Sequence, residues 1–397
     1  MFDVESNNSE WFKVTQDDSE NLDQPSPDTT VHLNPDEQNM VPKLLENVSA
    51  VTDGNTSFEA IPVHTWKRRY FARLVAIALV VGGIYYSTEG LFVLVFLFIA
   101  VVPFEKMFPR HVGQKTRRPE IETDMSYALA SPVIGIAAGV AAIIVGILSL
   151  AWIPGLLIRP YVAKIPDEYM PIVGVLLFDM TVYWTHRFYH EIPFLWKFHA
   201  IHHSTKTLDW ASGFRGHPFD GTLIAPAFVF LIVAGFSPEL TGTLALIQVL
   251  LGLFLHANVR WRLRPLHKLI ITPEFHHWHH TNEADAIWTN YSTFLPIWDL
   301  IFGTYFMPKD RRPQIYGVDE HIPAGMAEQL LWPLKGMRNP LWILRHPFKA
   351  IAAGFRFAKL LIREMWRSAT RKRGSKPQTA VIEAMTPTNS TSILKSE

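Results

Sequence analysis

Histidines are concentrated in one short part of the chain, between residues 186 and 280. These 95 residues hold 12 of the 17 histidines, where an even spread would place about four. Most fall into three closely spaced groups, His186-x-x-x-His190, His199-x-x-His202-His203 and His276-x-x-His279-His280. Because helix positions i, i+3 and i+4 share one face, each group can aim two or three imidazoles at a common point. A fold for this chain must therefore bring three histidine-bearing helices together, and together they can enclose a metal centre.

The kinds of side chain available as ligands restrict which metal ions could bind. The chain contains no cysteine, so the site would be rich in imidazole nitrogen, which suits iron, copper, zinc or nickel. A zinc site closes with four ligands, or uses three and a water when it is catalytic. The eight histidines of the three groups exceed that number and fit two metal ions better. A zinc-dependent membrane hydrolase is the alternative, although His190-Glu191 lacks the second histidine of an H-E-x-x-H motif.

The two ends of the chain differ from its middle. Residues 1–60 carry 13 acidic residues and two lysines, a net charge of −11, with too little apolar surface to fold. We therefore predict a disordered acidic tail over residues 1–65 and a second disordered tail over residues 374–397. Residues 325–373 intersperse apolar side chains with lysine and arginine, which predicts a basic amphipathic segment at the membrane surface. Packing of that segment onto the catalytic region is the alternative.

Long apolar stretches predict several membrane passes, beginning in residues 66–170. Residues 71–104 exceed the length of about 20 that one spanning helix needs, and their break near Ser87 predicts a hairpin of two helices. Basic residues flank both ends of that hairpin and favour the cytoplasmic side for them. The further predictions are a crossing over 127–157, a loop over 158–167, a return over 171–183, and an apolar pair over 222–236 and 240–255. This topology delivers every histidine group to one membrane face.

The site predicted from these patterns suits oxidation of lipids. A redox metal at a membrane surface can bind and cleave dioxygen, and the resulting oxidant can attack an unactivated C–H bond of a substrate dissolved in the bilayer. Asp179 lies seven residues before His186, about two helical turns along the same face. There it can accept a hydrogen bond from a ligand N–H and fix the tautomer of that imidazole, or it can pair with Arg187 or Arg215.

Further motifs surround the histidine groups. The segment from Asp179 to His190 contains Y-W-T-H-R-F-Y-H, and the segment from Phe214 to Asp220 is F-R-G-H-P-F-D. His256-Ala-Asn258, Asn290-Tyr291 and W-D-L-I-F-G-T at 298–304 complete the pattern. Over residues 170–308 these motifs resemble the sterol desaturase and fatty acid hydroxylase superfamily.

That resemblance, with the apolar pattern, predicts an all-α, multi-pass transmembrane helical bundle with a histidine-rich di-metal site on its cytoplasmic face. The catalytic region would span residues 171–310. The implied activity is that of a non-haem di-iron oxygenase that hydroxylates or desaturates a sterol or fatty-acyl lipid in a bacterial inner membrane or the endoplasmic reticulum. Two iron ions and dioxygen are the implied cofactor and co-substrate. The implied iron ligands are His186, His190, His199, His202, His203, His256, His276, His279 and His280.

Three further residues are expected to act beside these ligands. They are Asp179, His217 and Asn258. His217 is expected to contact a metal-binding histidine or to face the substrate, and not to bind the metal itself. His277 makes the third group H-H-x-H-H, so a frame of 276, 277 and 280 also fits the spacing, while the resemblance favours 276, 279 and 280. The sequence shows neither a cytochrome b5 domain nor a G-x-G-x-x-G fingerprint. Electrons are therefore predicted to come from a separate partner, a ferredoxin or cytochrome b5 with its reductase, and no nucleic-acid partner is predicted.

Overall fold

The computed structural model describes residues 63–261, 263–335 and 345–371. Within these ranges the regular structure is helical, apart from two isolated bridges that join Pro109 to Val259 and Thr281 to Tyr316. The prediction of an all-α chain is confirmed for this part. The predicted tails fall outside the described residues, except that a helix already begins at Val63.

We label the α helices of the described ranges in chain order. They are α1 Val63–Tyr86, α2 Thr88–Met107, α3 Ile121–Leu148, α4 Trp152–Val162, α5 Met170–Glu191, α6 Pro193–His203, α7 Ala225–Ala234, α8 Pro238–Leu255, α9 Pro273–His279, α10 Ile297–Phe302, α11 Met326–Leu331 and α12 Pro347–Ala369. Between α6 and α7 lie two 3₁₀ turns, Trp210–Phe214 and Asp220–Ile224.

Two of the described helices, α3 and α8, are long and apolar enough to cross a membrane. α1 and α2 pass the same test only as a pair, and they meet at a bend of 96°. The two helices predicted over 71–104 are present, with their break at Ser87, and this bend is the angle between them. α1 also packs along α3, because Gly83 lets the two backbones touch where a Cβ atom would overlap the Leu129 carbonyl group.

The other predicted passes are helical, but they do not qualify as spans. α5 contains the predicted return over 171–183 and is not among the candidate spans. α7 has 10 residues and is about 15 Å long, half of the hydrocarbon thickness of about 30 Å. The predicted loop over 158–167 is wrong in its first half, where residues 158–162 end α4. α4 packs closely on α7, since a Cβ atom at Gly155 would lie 2.8 Å from the Phe230 carbonyl oxygen.

One face of α5 connects the hydrophobic core to the histidines. Phe178, Val182, His186 and His190 are all buried, and their spacing of four residues places them on one face of the helix. Phe178 and Val182 belong to an apolar cluster with side chains of α7 and α8. Burial of these apolar side chains therefore fixes the rotation of α5 and points His186 and His190 inward.

Candidate metal centre

Nine buried or half-buried histidines form two adjacent groups. In each group, one ring nitrogen from every residue lies within 4.8 Å of the corresponding nitrogen of every other. The five-histidine group consists of His186, His190, His199, His203 and His279, and the four-histidine group consists of His202, His256, His276 and His280. These are the nine histidines that the sequence predicted as ligands. The structure brings all of them together.

Each H-x-x-H-H motif contributes to both groups. His199 and His203 of α6 join the five-histidine group, while His202 points to the other group. Around a helix, positions i and i+4 differ by about 40°, whereas position i+3 lies about 60° to the opposite side of i. In the motif at the end of α9, His276 and His280 likewise stay together in the four-histidine group, while His279 joins the five-histidine group. The two groups therefore share helices and touch each other, with the His203 and His280 rings stacked at a centroid distance of 4.1 Å.

The spacing of the inward nitrogens suits metal ligands. Neighbouring Nε2 atoms lie 3.1–3.2 Å apart in the five-histidine group and again 3.1–3.2 Å apart in the four-histidine group. Two imidazole nitrogens bound about 2.1 Å from one ion, at right angles or at tetrahedral angles, are separated by about 3.0–3.4 Å. The donor atoms of each group therefore fit around one ion.

The outward ring nitrogens have acceptors that orient the rings. His186 Nδ1 donates to the Tyr291 carbonyl at 2.7 Å and His279 Nδ1 to the Thr289 carbonyl at 3.0 Å. His202 and His256 donate in the same way to the backbone oxygens of Arg215 and Gly252. Protonation of Nδ1 fixes the tautomer and leaves the Nε2 lone pair pointing into the group.

Burial favours the neutral form of several histidines in both groups. Burial lowers the pKa of His202 to about 4, and it lowers the pKa values of His203, His279 and His280 well below their usual range. At neutral pH these imidazoles are therefore unprotonated at one nitrogen, which is the form that binds metal ions.

Asp220 is a supporting residue to which the sequence reasoning gave no role. Its Oδ1 atom lies 2.7 Å from Nδ1 of His199 and forms a carboxylate–histidine pair of the kind that raises the basicity of a metal ligand. The sequence feature that could have identified Asp220 is its position in F-R-G-H-P-F-D, where it is the only carboxylate of the motif. The fold brings Asp220 to α6 through the 3₁₀ turn that it begins.

Replacing Asp220 by asparagine should weaken metal binding by the five-histidine group about 10- to 100-fold, because an amide polarises the imidazole of His199 less than a carboxylate does. Iron retained after titration with a chelator measures the change. Asp167→Asn, at an exposed carboxylate, is the matched control and should retain iron like the parent protein. Equal chelator resistance of the two variants would show that Asp220 does not support the ligand.

The loop around residues 288–292 supplies two of the acceptors described above. Trp288 and Asn290 have φ angles of 72° and 62°, a left-handed backbone that persists in non-glycine residues only when the surroundings hold it. Asn290 Nδ2 donates to the carbonyl oxygens of Phe275 and Phe306 at 3.1 and 2.8 Å. Asp299 accepts from the backbone N–H groups of Tyr291 and Ser292 at 2.8 and 2.9 Å. These contacts hold the loop so that the carbonyl groups of residues 289 and 291 point toward the five-histidine group.

Asp179 holds the backbone that follows this loop. Its carboxylate accepts from the N–H groups of residues 293, 294 and 295 at 2.9–3.2 Å. The predicted bond to a ligand N–H is therefore wrong, because seven residues of helix separate Asp179 from His186 by about 10 Å. The alternative ion pairs are also absent, since Arg187 pairs with Glu191 and Arg215 with Asp124 among the described residues.

His217, Asn258 and His277 lie outside both groups and hydrogen-bond elsewhere. His217 Nε2 donates to the Leu330 carbonyl at 3.1 Å, and Asn258 Oδ1 accepts from the His111 backbone N–H at 2.9 Å. Both residues therefore tie backbone segments together, where the sequence predicted roles beside the ligands. His277 Nε2 donates to the Ala257 carbonyl at 3.2 Å, so the frame of 276, 277 and 280 is not the one that the fold adopts.

A buried ion network joins α3 to the segment that follows α6. Asp124 accepts from Arg118 and from Arg215, both at 2.6 Å. Arg118 also donates to both carboxylate oxygens of Asp209. Since the backbone oxygen of Arg215 accepts from His202, this network fixes one wall of the four-histidine group to a candidate membrane span.

The sequence was compared with protein families and with individual known proteins. Residues 171–304 match the sequence profile of the fatty acid hydroxylase family. The chain is 31% identical over 170 residues to an ornithine lipid hydroxylase from Rhizobium tropici, covering 42% of this chain and 51% of the relative. It is 28% identical over 156 residues to alkylglycerol monooxygenase from Homo sapiens, covering 39% and 33%. A very-long-chain aldehyde decarbonylase from Oryza sativa is 29% identical over 141 residues, covering 32% and 21%.

The matched regions span about half or less of the length of these relatives. No solved structure matches the chain significantly. The family match contains both histidine groups, together with Asp179, Asp220 and Asp299. Residues 171–304 of this chain are therefore similar to the fatty acid hydroxylase family.

Proposed function

We propose that the chain is a membrane oxidoreductase that uses dioxygen to hydroxylate or desaturate a lipid at a centre of two iron ions. The observation that carries the proposal is the pair of adjoining histidine groups, with nine inward imidazoles. One ion needs no more than about six ligands, and the division into five and four suits two ions. When bound, iron would supply the oxidation of an unactivated C–H bond.

The residues of the chain prepare the site for that chemistry. Burial excludes bulk water from the histidines, and the acceptors on Tyr291, Thr289, Arg215, Gly252 and Asp220 hold the rings in their orientations. Such prior positioning keeps the ligand geometry while substrate enters. The alternative of a zinc-dependent hydrolase has no support among the relatives, because those described above are named as a hydroxylase, a monooxygenase and a decarbonylase.

The substrate proposed is a lipid with an open aliphatic chain. The relatives are named for an ornithine lipid, an alkylglycerol and a very-long-chain aldehyde, and these names favour such a chain over a sterol. The apolar surfaces of α3 and α8 give a bilayer-dissolved lipid a route to the protein. We place the site on the cytoplasmic face, because exposed Lys115 and Arg117 follow α2. An external ferredoxin or cytochrome b5 type of donor would supply two electrons for each turnover.

The proposal is tested with protein purified in detergent and loaded with ferrous iron under reducing conditions. We expect about two iron atoms per chain and oxygen consumption that depends on both added lipid and reductant. Mass spectrometry of the lipid should show the gain of one oxygen atom or the loss of two hydrogen atoms. Zinc-loaded protein is the control and should be inactive. Lipid hydrolysis by the zinc form, or no lipid oxidation by the iron form with a broad lipid extract, would contradict the proposal.

A further inference from the structure

α12 presents three distinct faces along its length. At about 100° of rotation per residue, one sector of the helix packs against the rest of the chain. That sector includes Phe357, whose ring lies 4.8 Å from the ring of Phe194 at the start of α6, and the buried Ser368. The remainder of the helix surface is uncovered in the described part of the chain.

The uncovered surface divides into an apolar stripe and a basic stripe. The apolar stripe occupies an arc of about 60°, and its side chains are 57–85% exposed: Phe348, Ile351, Phe355, Ile362 and Trp366. The basic stripe occupies the next arc of about 80° and consists of Lys349, Arg356, Lys359, Arg363 and Arg367, all exposed. α12 contains one acidic residue, Glu364. Its net charge is therefore +4, from five basic residues and one acidic residue.

A buried cluster of charges fixes the direction in which these stripes face. Glu191 follows His190 directly at the end of α5, and its carboxylate accepts from Arg187 Nε at 3.0 Å and from Arg371 Nη1 at 2.8 Å. Ser368 Oγ donates to the same carboxylate. Because the end of α12 is bound in this way to the histidine-bearing helix, its apolar stripe cannot rotate inward without breaking buried ion pairs.

We propose that α12 lies along the surface of an anionic phospholipid bilayer. Its apolar stripe would enter the boundary of the acyl chains, and its basic stripe would contact the phosphate headgroups. A narrow apolar arc beside a basic arc is the pattern of helices that lie in the plane of a membrane surface. The charge complements anionic lipid, and the candidate spans α3 and α8 place a bilayer next to the same chain. The inference extends the proposed function and does not depend on the reaction catalysed.

The experiment uses the absence of cysteine from the chain. Phe355→Cys carries a single spin label on the apolar stripe, and Ile362→Cys provides a second position in case the first disturbs the fold. Val140→Cys on α3 is the lipid-exposed reference, and Asp310→Cys, at an exposed acidic residue, is the water-exposed reference. The full chain is placed in bilayers with and without phosphatidylglycerol. Collision rates of each label with oxygen and with a water-soluble nickel complex are then measured.

In anionic bilayers we expect the labels at 355 and 362 to have oxygen-to-nickel ratios close to that at 140. Neutralising Lys349, Arg356 and Lys359 to glutamine should move both ratios toward the value at 310, because each lost charge weakens attachment to anionic lipid about fivefold. Nickel access at both positions equal to that at 310 would overturn the proposal. Protection from oxygen and nickel together would also overturn it, since protein would then cover the stripe. Ratios unchanged in the neutralised variant would overturn the role of anionic lipid.

Discussion

Replacing His279 by alanine should weaken iron binding by the five-histidine group and abolish lipid oxidation. The imidazole of His279 is buried beside His190, with their Nε2 atoms 3.2 Å apart, so its removal takes one of the five inward nitrogens from this group. His277→Ala should keep both iron and activity, because His277 hydrogen-bonds to the Ala257 carbonyl and lies outside both groups. Bound iron and oxygen consumption are measured for the two variants in the same membranes.

Because one group has five histidines and the other four, the loss of one histidine should affect metal binding by the two groups to different degrees. Loss of His202 leaves three histidines in its group, whereas loss of His279 leaves four in the other. We therefore expect His202→Ala to reduce bound iron from about two atoms per chain to about one, and to lower metal affinity more than His279→Ala does. Iron loss in His277→Ala together with iron retention in His279→Ala would contradict the assignment of the third group.

Replacing Asp124 by alanine should destabilise the protein by about 3–5 kcal/mol, because two buried arginines would lose a shared partner. Arg118 and Arg215 each contact Asp124 at 2.6 Å, and the side chains of all three residues are at most 3% exposed. Breaking a buried pair on one side is costly, since the remaining charge cannot be solvated. The change is measured as a lowered midpoint of thermal unfolding in detergent.

Glu122→Ala is the matched control for Asp124→Ala. Glu122 lies in the same first turn of α3, and its side chain is exposed, so its loss should leave the unfolding midpoint close to that of the parent. We also expect Asp124→Ala to bind iron less firmly, since the Arg215 backbone oxygen that orients His202 belongs to the same network. Equal unfolding midpoints for the two variants would contradict the stabilising role of the network.

The histidine geometry was predictable because metal ligands must share a helix face. The spacing of 186 and 190, of 199, 202 and 203, and of 276, 279 and 280 predicted which residues converge. His256 was predictable only through the resemblance, since no second histidine accompanies it on its helix. Helical spacing separates position i+3 of each H-x-x-H-H motif from positions i and i+4. Which of the two groups each position joins depends on how α6 and α9 face each other, and spacing does not decide that.

The membrane passes were predicted less well, because hydropathy does not distinguish a spanning helix from a helix buried in protein. α5 and α7 are apolar since they pack on each other in the core, and α7 is too short to cross a bilayer. The hydrogen bonds that hold the ligands and the neighbouring loop were also not predictable from the sequence. Asp179 was expected to reach His186 along the helix, but it binds the backbone of residues 293–295. Backbone acceptors such as the Thr289 carbonyl leave no signal in the sequence.

The loop around residues 288–292 determines how short a functional fragment of this chain can be. A fragment that ends after His280 would keep all nine histidines, yet it would lose the carbonyls that orient His186 and His279. It would also lose Asp299, whose carboxylate accepts from the Thr304 hydroxyl at 2.6 Å and holds the loop in place. The smallest unit with a preorganised five-histidine group therefore extends at least to Thr304, well past the last ligand. Boundaries chosen from the histidine motifs alone would yield a domain that keeps all its ligands but no longer orients the rings of His186 and His279.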